Sequence, residues 1–252
     1  MRPNSLIFPP NLAYGDGCCR RLIRIDVADG SVSAHLSDNF HELRCRIQHD
    51  GWVVLAIEGT PIRLPTTACP GAIAVLQELV GTPLTASGKD FYGDGRARHH
   101  CTHLYDLAVL AIRHARDEAG ATCYDAEVPD ETDAPVVVSI TRDGVVVHRW
   151  TVRSGVIFDP PELAGRKLEK GFAAWAIETF ADDELEAATI LARTWLIAIG
   201  RGFLIDGVAG ERIDANAEMI GRCFAYQPER ASEALFVAGQ LREPAALTTT
   251  RD

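Results

Sequence analysis

The chain has 252 residues, of which 47% are hydrophobic, and this composition excludes a disordered chain because it supports a sizeable core. Its formal charge of -10 argues against a nucleic-acid partner, since phosphate binding requires a basic surface. No apolar run reaches the roughly 18 residues of a membrane span, and prolines interrupt the N-terminal stretch where a signal peptide would be apolar. We therefore expect a cytoplasmic protein with a small-molecule substrate, no nucleic-acid or membrane partner, and the capacity to form a homo-oligomer.

The first part of the chain has the pattern of an antiparallel sheet. Apolar and polar residues alternate over residues 20–58, and the alternation is broken at Asp29-Gly30 and Asp50-Gly51. Asp-Gly between alternating runs is the strongest short signal for a hairpin. The pattern predicts three or four antiparallel strands, with one face free to be covered by helices.

Helical periodicity follows the sheet. Apolar spacing predicts a short helix over residues 72–80 and a longer one over 104–115. The segment between them, 82–98, is predicted to be a loop of 17 residues, and a loop of that length is often functional.

The second half predicts a hairpin at Asp143-Gly144 and then a helical region that ends in a helix near residues 231–240. The expected fold class is therefore α+β, an antiparallel sheet covered by helices, with a second hairpin and a C-terminal helical region. We divide the chain into residues 1–120 and 121–252, and we expect the two parts to pack as one unit.

Two cysteines stand at predicted helix starts. Pro70 occupies the first helical position, which makes Cys69 the predicted N-cap, and a helix N-terminus favours a thiolate. Together with His100 and His103, Cys69 and Cys101 form a candidate zinc or iron-sulfur ligand set. The same features fit a cysteine nucleophile, and they also fit small buried residues at helix starts beside surface histidines.

A second group of candidates is polar and not based on sulfur. Arg63 and Tyr105 flank the two helix starts, so a cationic donor and a phenol could face one cavity and stabilise a developing oxyanion. In that arrangement Tyr105 or His41 is the base, and Arg63 or Lys89 holds the oxyanion. Taken singly, each of these residues also fits a surface charge or a satisfied polar group. The candidate catalytic side chains are His41, Arg63, Lys89, His100, Tyr105 and Tyr226.

One segment resembles a known scaffold family. Cys69-Pro-Gly-Ala-Ile-Ala, followed by the His100-Cys101 pair at the start of the long helix, resembles the IscU/NifU scaffold proteins (SufE/NifU-type) over residues 40–116. The resemblance implies an IscU/NifU-like core and ligand roles for Cys69, His100 and Cys101. The Cys-Gly-Asp ligand motif of those proteins has no counterpart in this sequence, so the third thiolate ligand of the scaffold proteins is missing.

A broader resemblance, over about residues 20–239, is to the bacterial family known as domain of unknown function 2889. It is carried by Asp38-Asn-Phe-His41, Arg63-Leu-Pro-Thr-Thr-Ala-Cys69-Pro-Gly-Ala, Cys101-Thr-His-Leu-Tyr-Asp-Leu, Leu168-Glu-Lys-Gly-Phe-Ala-Ala-Trp175 and Cys223-Phe-Ala-Tyr-Gln-Pro. Such proteins are similar to ones found among aromatic-compound and acyl-CoA catabolism functions. The resemblance therefore implies a role on a small molecule.

These observations favour an enzyme, a lyase that acts without a cofactor on a small aromatic or phenolic catabolite by proton transfer and bond cleavage. The sequence contains no Gly-x-Gly-x-x-Gly or Walker loop that would indicate a nucleotide cofactor. Two alternatives stay open: a metal-binding or iron-sulfur-handling protein that uses the cysteine and histidine set, and a non-catalytic protein that binds a small ligand.

Overall fold

The computed structural model describes residues 8–239 and 241–244, and we restrict the account to them. The strands are β1 (Cys18–Ala28), β2 (Ser31–Asp38), β3 (Glu42–His49), β4 (Val54–Arg63), β5 (Gly120–Pro129), β6 (Val136–Arg142), β7 (Val145–Arg153) and β8 (Val156–Asp159). The helices are α1 (Ala72–Val75), α2 (Gly88–Tyr92), α3 (Thr102–His114), α4 (Phe172–Thr179), α5 (Asp182–Ala198) and α6 (Pro228–Ala231). Among the described residues, none of these helices has the length and apolar character needed to span a bilayer.

Contacts within the chain group it into two units. The first contains Ile23–Thr122 and Ile205–Arg242, and the second contains Pro9–Leu22 and Cys123–Leu204. The segment after residue 204 therefore returns to the N-terminal unit, whereas our sequence-based division placed residues 121–252 in a second part. Strand β1 contributes residues to both units.

The first unit is built on a sheet with the order β4-β3-β2 followed by the second part of β1. The β2-β3 and β3-β4 pairs are antiparallel. Buried and less buried residues alternate along β2 and β3, so Leu36, Leu43 and Ile47 share one face. Helix α3 packs on β2 and β3, and its Leu107 and Ala108 are fully buried. The apolar face is thus covered by a helix, as the alternation predicted.

The C-terminal segment of the first unit forms a small core of its own. Short β-bridges join Thr66 to Phe236 and Arg212 to Leu235. The buried members of this core are Val208, Ile213, Ala225, Tyr226, Ala231, Ala234 and Phe236.

The second unit contains β5, β6, β7 and β8 in that hydrogen-bonding order, and these strand pairs are antiparallel. Helix α5 packs on β6 and β7, and α4 packs on α5. The buried Trp150 side chain is the largest in this layer. A buried ion pair between Arg201 Nε and Asp130 Oδ1, 2.7 Å apart, also belongs to this unit.

The α+β expectation is confirmed at the level of antiparallel strands combined with helices, and the second hairpin is present. The IscU/NifU-like core is not confirmed. The predicted loop over residues 82–98 was wrong in part, because it contains α2 and the start of a 3-10 turn, Arg96–His99. Its Ser87 and Asp90 form a capping box, which is enough to begin a short helix.

Two further expectations need correction. The last helix is α6, which ends at Ala231, and residues 232–239 are not helical; residue 240 lies outside the described residues. Cys69 is the first residue of a 3-10 turn, Cys69–Gly71, and Ala68 occupies the cap position. Pro70 is compatible with this tighter turn because its missing N–H has no partner to lose at a helix start.

Candidate active site

The turn that joins β2 to β3 is built from four buried residues, Asp38 to His41. Oδ1 of Asp38 accepts the backbone N–H groups of Phe40 and His41, both at 2.8 Å. The N–H of Asp38 in turn donates to the carbonyl oxygen of His41 at 2.8 Å. An aspartate that accepts from the backbone two and three residues further on stabilises a tight turn. The carboxylate therefore fixes the backbone that carries His41.

The same carboxylate also holds the imidazole of His41. The Nδ1 atom lies 3.0 Å from Oδ1 and 3.4 Å from Oδ2 of Asp38. Asp38 is fully buried and His41 is 6% exposed, so water competes little for these hydrogen bonds. Because an ionised carboxylate only accepts, Nδ1 carries the proton and Nε2 is the nitrogen left to exchange a proton with a bound molecule.

Arg63, the last residue of β4, supports this turn from outside. Its Nη1 donates to the carbonyl oxygen of Asn39 at 2.9 Å, and its Nη2 donates to that of His41 at 3.2 Å and to that of Asp38. Burial lowers the pKa of Arg63, but a guanidinium stays charged at neutral pH. The donors that we assigned to a substrate oxyanion are thus directed at the turn, and Arg63 is a positioning residue.

His103 completes the cluster from the helix. It is the second residue of α3, and its ring stacks on that of His41 with centroids 3.9 Å apart and 24° between the planes. Because α3 packs on β2 and β3, residues that are 62 apart in the chain come into contact. We refer to Asp38, His41, Arg63 and His103 as the imidazole cluster.

His100 and Tyr105 form a second pair of candidate side chains. The His100 ring is fully buried and packs on the Tyr105 ring at 4.5 Å. The Tyr105 hydroxyl donates to the carbonyl oxygen of Phe91 at 2.7 Å, and burial raises the pKa of Tyr105 to about 12. The predicted base is therefore a protonated phenol that is already engaged with the backbone.

The ring nitrogens of His100 have no hydrogen-bond partner among the described residues. The Oε2 atom of Glu78 lies 3.4 Å from Nε2, but the geometry is not that of a hydrogen bond. Burial lowers the pKa of His100, and this outweighs the attraction of Glu78. His100 is therefore neutral at pH 7.

The remaining two candidates are placed elsewhere. Lys89 is exposed on α2. Tyr226 is buried in the C-terminal core, where burial raises the pKa of its hydroxyl although Asn216 hydrogen-bonds to it. Neither residue has a described contact with His41, so the structure does not join them to the imidazole cluster.

We refer to Cys69, Cys101 and Cys223 as the thiol cluster. Cys69 and Cys223 pack against the C-terminal core, and the three thiols are near enough to influence one another electrostatically. Burial raises the pKa of Cys69 to about 11, although a contact of 3.0 Å between its Sγ and Thr66 Oγ1 acts in the opposite direction. Burial therefore disfavours the thiolate that we expected at this helix start.

Cys101 behaves in the same way at the start of α3. Burial raises its pKa, and the backbone N–H groups of Leu104 and His103 lower it by less. The helix start does act on the thiol, but desolvation is the larger effect. Desolvation dominates because a fully surrounded sulfur loses the hydration that would stabilise its charge.

The predicted metal ligands do not come together as a set. Over residues 8–239 and 241–244, no three or more His, Cys, Asp or Glu side chains are grouped in a way that could hold a metal ion. The His103 ring stacks on His41, whereas the His100 ring packs on Tyr105. The metal alternative stays a prediction without a described ligand set.

Asp38 positions His41 but was not among the predicted site residues; it was noted only as part of the segment Asp38-Asn-Phe-His41. The signal was present: a carboxylate three residues before a histidine, in a short polar break between two alternating runs. An Asp in such a turn can bond both the backbone and a side chain at i+3. That spacing could have identified the pair.

Comparison with known proteins gives one match. Residues 24–117 match the model of a family described as "Protein of unknown function (DUF2889)". No curated protein and no solved structure matched the chain. The comparisons give no support to an IscU/NifU-like segment, and the match is shorter than the resemblance we expected over residues 20–239. The N-terminal part of this chain, which contains the whole imidazole cluster, is therefore similar to the family of unknown function DUF2889.

Proposed function

We propose that the protein is a lyase that cleaves a small aromatic or phenolic compound by general acid-base catalysis, with His41 as the base. The observation that carries this proposal is the buried Asp38 carboxylate 3.0 Å from Nδ1 of His41. A histidine held in one tautomer by a carboxylate is a recurring arrangement for moving a proton. The backbone hydrogen bonds to Asp38 and the donors of Arg63 keep this pair in place.

The proposed reaction is a proton transfer coupled to bond cleavage. Nε2 of His41 removes the proton of a substrate hydroxyl, and the electrons of the O–H bond form a carbonyl as the neighbouring carbon-carbon or carbon-oxygen bond breaks. The departing group then takes the proton back from the imidazolium. Asp38 stabilises that imidazolium while it exists, since an ionised carboxylate beside it favours the charged ring. The chemistry requires no change of oxidation state in the protein.

His103 gives the site a second group that can donate or accept a proton. Its ring lies against one face of His41, so it limits the positions from which a substrate can approach Nε2. The proposed substrate class is based on the sequence resemblance to proteins that are found among aromatic-compound catabolism functions. An aromatic ring also suits a site that already contains two imidazole rings, since aromatic groups pack favourably on one another.

The test is a product screen with matched variants. Wild-type protein, His41→Gln and His99→Gln would each be incubated with a panel of phenolic and non-phenolic arylpropane and aryl-ether compounds, followed by liquid chromatography and mass spectrometry. We expect cleavage products with the wild type and with His99→Gln, because His99 is exposed and outside the cluster. We expect none above background with His41→Gln.

Two outcomes would decide against the proposal. Equal product formation by His41→Gln and the wild type would remove His41 from the chemistry. Tight binding of a panel compound to folded wild-type protein without any product would favour the alternative of a non-catalytic ligand-binding protein.

A further inference from the structure

The sheet of the first unit has a polar face opposite the face covered by α3. In the β2-β3 register His35 lies across from Arg44, and Ser37 lies across from Glu42. Residues directly opposite or two apart on paired strands project from the same side of a sheet. These four residues therefore form one patch, which we call the polar-face cluster. It is distinct from the imidazole cluster, which includes a residue of α3.

Three buried polar atoms in this cluster have no hydrogen-bond partner in the described part of the chain. They are Oγ of Ser37, Nε of Arg44 and Nε2 of His35. The Ser37 residue is fully buried. Buried polar groups in folded proteins are almost always hydrogen-bonded, so three neighbouring exceptions indicate a bound water, ion or ligand. His35, Glu42 and Arg44 are each partly exposed, so the patch reaches the surface.

The patch contains one carboxylate and one guanidinium, but they have different neighbours. His35 Nε2 lies 3.4 Å from Glu42 Oε1, without hydrogen-bond geometry, and Arg63 lies across from Glu42 on β4. Glu42 therefore has two cationic or polar neighbours. Arg44 has no ion pair within residues 8–239 and 241–244, although its Nε is buried. A half-buried cation without a counter-ion is unfavourable, and an anion from solution would relieve it.

We propose that the polar-face cluster is a binding site for a small oxyanion, the carboxylate or phosphate group of a small molecule. The guanidinium of Arg44 binds the anion, because its planar N–H groups match the spacing of two oxygens. The Ser37 hydroxyl donates a further hydrogen bond. His35 completes the site from the position across the strand pair.

The pKa of His35 is consistent with an anion-binding site. Burial, and after it the charge of Arg44, lower the pKa of His35, whereas Glu42 raises it. An anion on Arg44 cancels the second of these effects, so binding raises the pKa of His35. The charged groups that face this ring from β3 are Arg44 and Glu42, and both belong to the cluster. On the other side of β2, the part of β1 in this unit carries Arg24 and Asp26, which form an ion pair with each other at 2.6 Å.

The test is a titration of full-length protein with sodium phosphate and, separately, with sodium benzoate, at ionic strength held constant with sodium chloride. Nuclear magnetic resonance would follow the Nε–H signal of Arg44 and the ring signals of His35. We expect one of the two anions to give a saturable shift and a rise in the pKa of His35. A stronger response to phosphate assigns a phosphate group, and a stronger response to benzoate assigns a carboxylate.

Three variants test the geometry. Arg44→Gln should weaken binding about tenfold or more, because it removes a charge-assisted pair of hydrogen bonds. Ser37→Ala should weaken it about fivefold, and without anion it should leave stability unchanged, because the hydroxyl has no partner to lose. The matched control is Arg46→Gln, an exposed arginine two residues along the same strand, which should bind like the wild type.

The proposal would be overturned if neither anion gave a saturable response in the wild type. It would also be overturned if folded Arg44→Gln bound as tightly as the wild type, or if sodium chloride alone produced the same shifts. These results are independent of the lyase proposal, because none of the variants alters Asp38, His41 or His103.

Discussion

The imidazole cluster and the thiol cluster lie in the same unit, and both contain residue types associated with catalysis, yet their surroundings differ. His41 is held by a carboxylate, which is itself held by two backbone N–H groups. Cys69 and Cys223 pack against apolar side chains of the C-terminal core. In one cluster hydrogen bonds hold the ring of His41 in place, whereas in the other cluster burial opposes the charged form of the thiols.

The comparison shows that a reactive residue type becomes a reactive group only through its partners. Cys101 is buried and Cys69 is partly buried, and this burial raises the pKa of each thiol. A helix terminus contributes a few tenths to about 1 kcal/mol at an exposed site, which is less than the desolvation of a buried sulfur. Four predictions test this contrast.

The largest expected effect is on activity. His41→Gln should reduce the turnover of any substrate found in the product screen by about a thousandfold, because it removes the general base. The measurement is kcat/KM under steady-state conditions. Cys69→Ala is the matching change in the thiol cluster, and this variant should retain at least half of the activity. A loss of activity comparable to that of His41→Gln would show that the thiol cluster takes part in the reaction.

The second effect concerns thiol reactivity. Cys69 should react with iodoacetamide at pH 8 about a hundredfold more slowly than a small thiol of pKa near 9. The reason is that a pKa of about 11 lowers the fraction of thiolate at pH 8 by about a hundredfold. Mass spectrometry of the peptide containing Cys69 gives the rate. Alkylation at the rate of the free thiol would show that the sulfur is not desolvated in solution.

The third effect concerns the support of the turn. Arg63→Lys should lower the free energy of unfolding by about 2 kcal/mol, because an ammonium cannot serve three backbone carbonyls in the directions of a guanidinium. Urea denaturation measures the change. Arg46→Lys, at an exposed position on β3, should change stability by less than about 0.5 kcal/mol. If both variants behaved alike, the turn would not depend on Arg63.

The smallest effect is on the pH dependence of stability. Burial lowers the pKa of His100, so below about pH 6.5 the unfolded chain binds a proton that the folded protein does not. Stability is therefore complete above this pH and falls as the solution becomes more acidic. His100→Phe should reduce that slope by up to about 1.4 kcal/mol per pH unit.

Denaturation curves collected between pH 5 and pH 8 measure this slope. The matched control is His99→Phe, since His99 is exposed and adjacent in the chain. An unchanged slope in His100→Phe would mean that the ring is hydrated in the folded protein. The groups that act on His100 are Glu78, Arg96 and His99, and these variants leave the first two in place.

Much of the fold followed from local pattern. The Asp-Gly turns and the two-residue alternation predicted the strands of both units, because alternation directly encodes which side of a strand is buried. The long helix α3 was predicted from its apolar stripe for the same reason. The short helix α2 was missed, since five residues carry too little periodicity to be distinguished from a loop.

Individual residues of the candidate site were predicted, but their contacts with one another were not. His41 and Arg63 were selected individually, but their roles depend on the turn at Asp38, which was not predicted although its i to i+3 spacing is visible in the sequence. Tyr105 was selected as a base, and the structure shows its hydroxyl bonded to the Phe91 carbonyl. Hydrogen-bond partners of this kind are 14 residues apart in the chain, so their pairing is a property of the packed structure.

By itself the sequence determined which residues alternate between a core face and a solvent face, and it determined which residue types could perform chemistry. The tertiary structure decided which of those residues have hydrogen-bond partners and which are surrounded by apolar side chains. It placed His103 against His41 by packing α3 on the sheet, and it packed Cys69 and Cys223 against apolar side chains of the C-terminal core. The physical reason is that strand and helix patterns are local, whereas the pKa of a side chain depends on solvation and on neighbours distant in the chain.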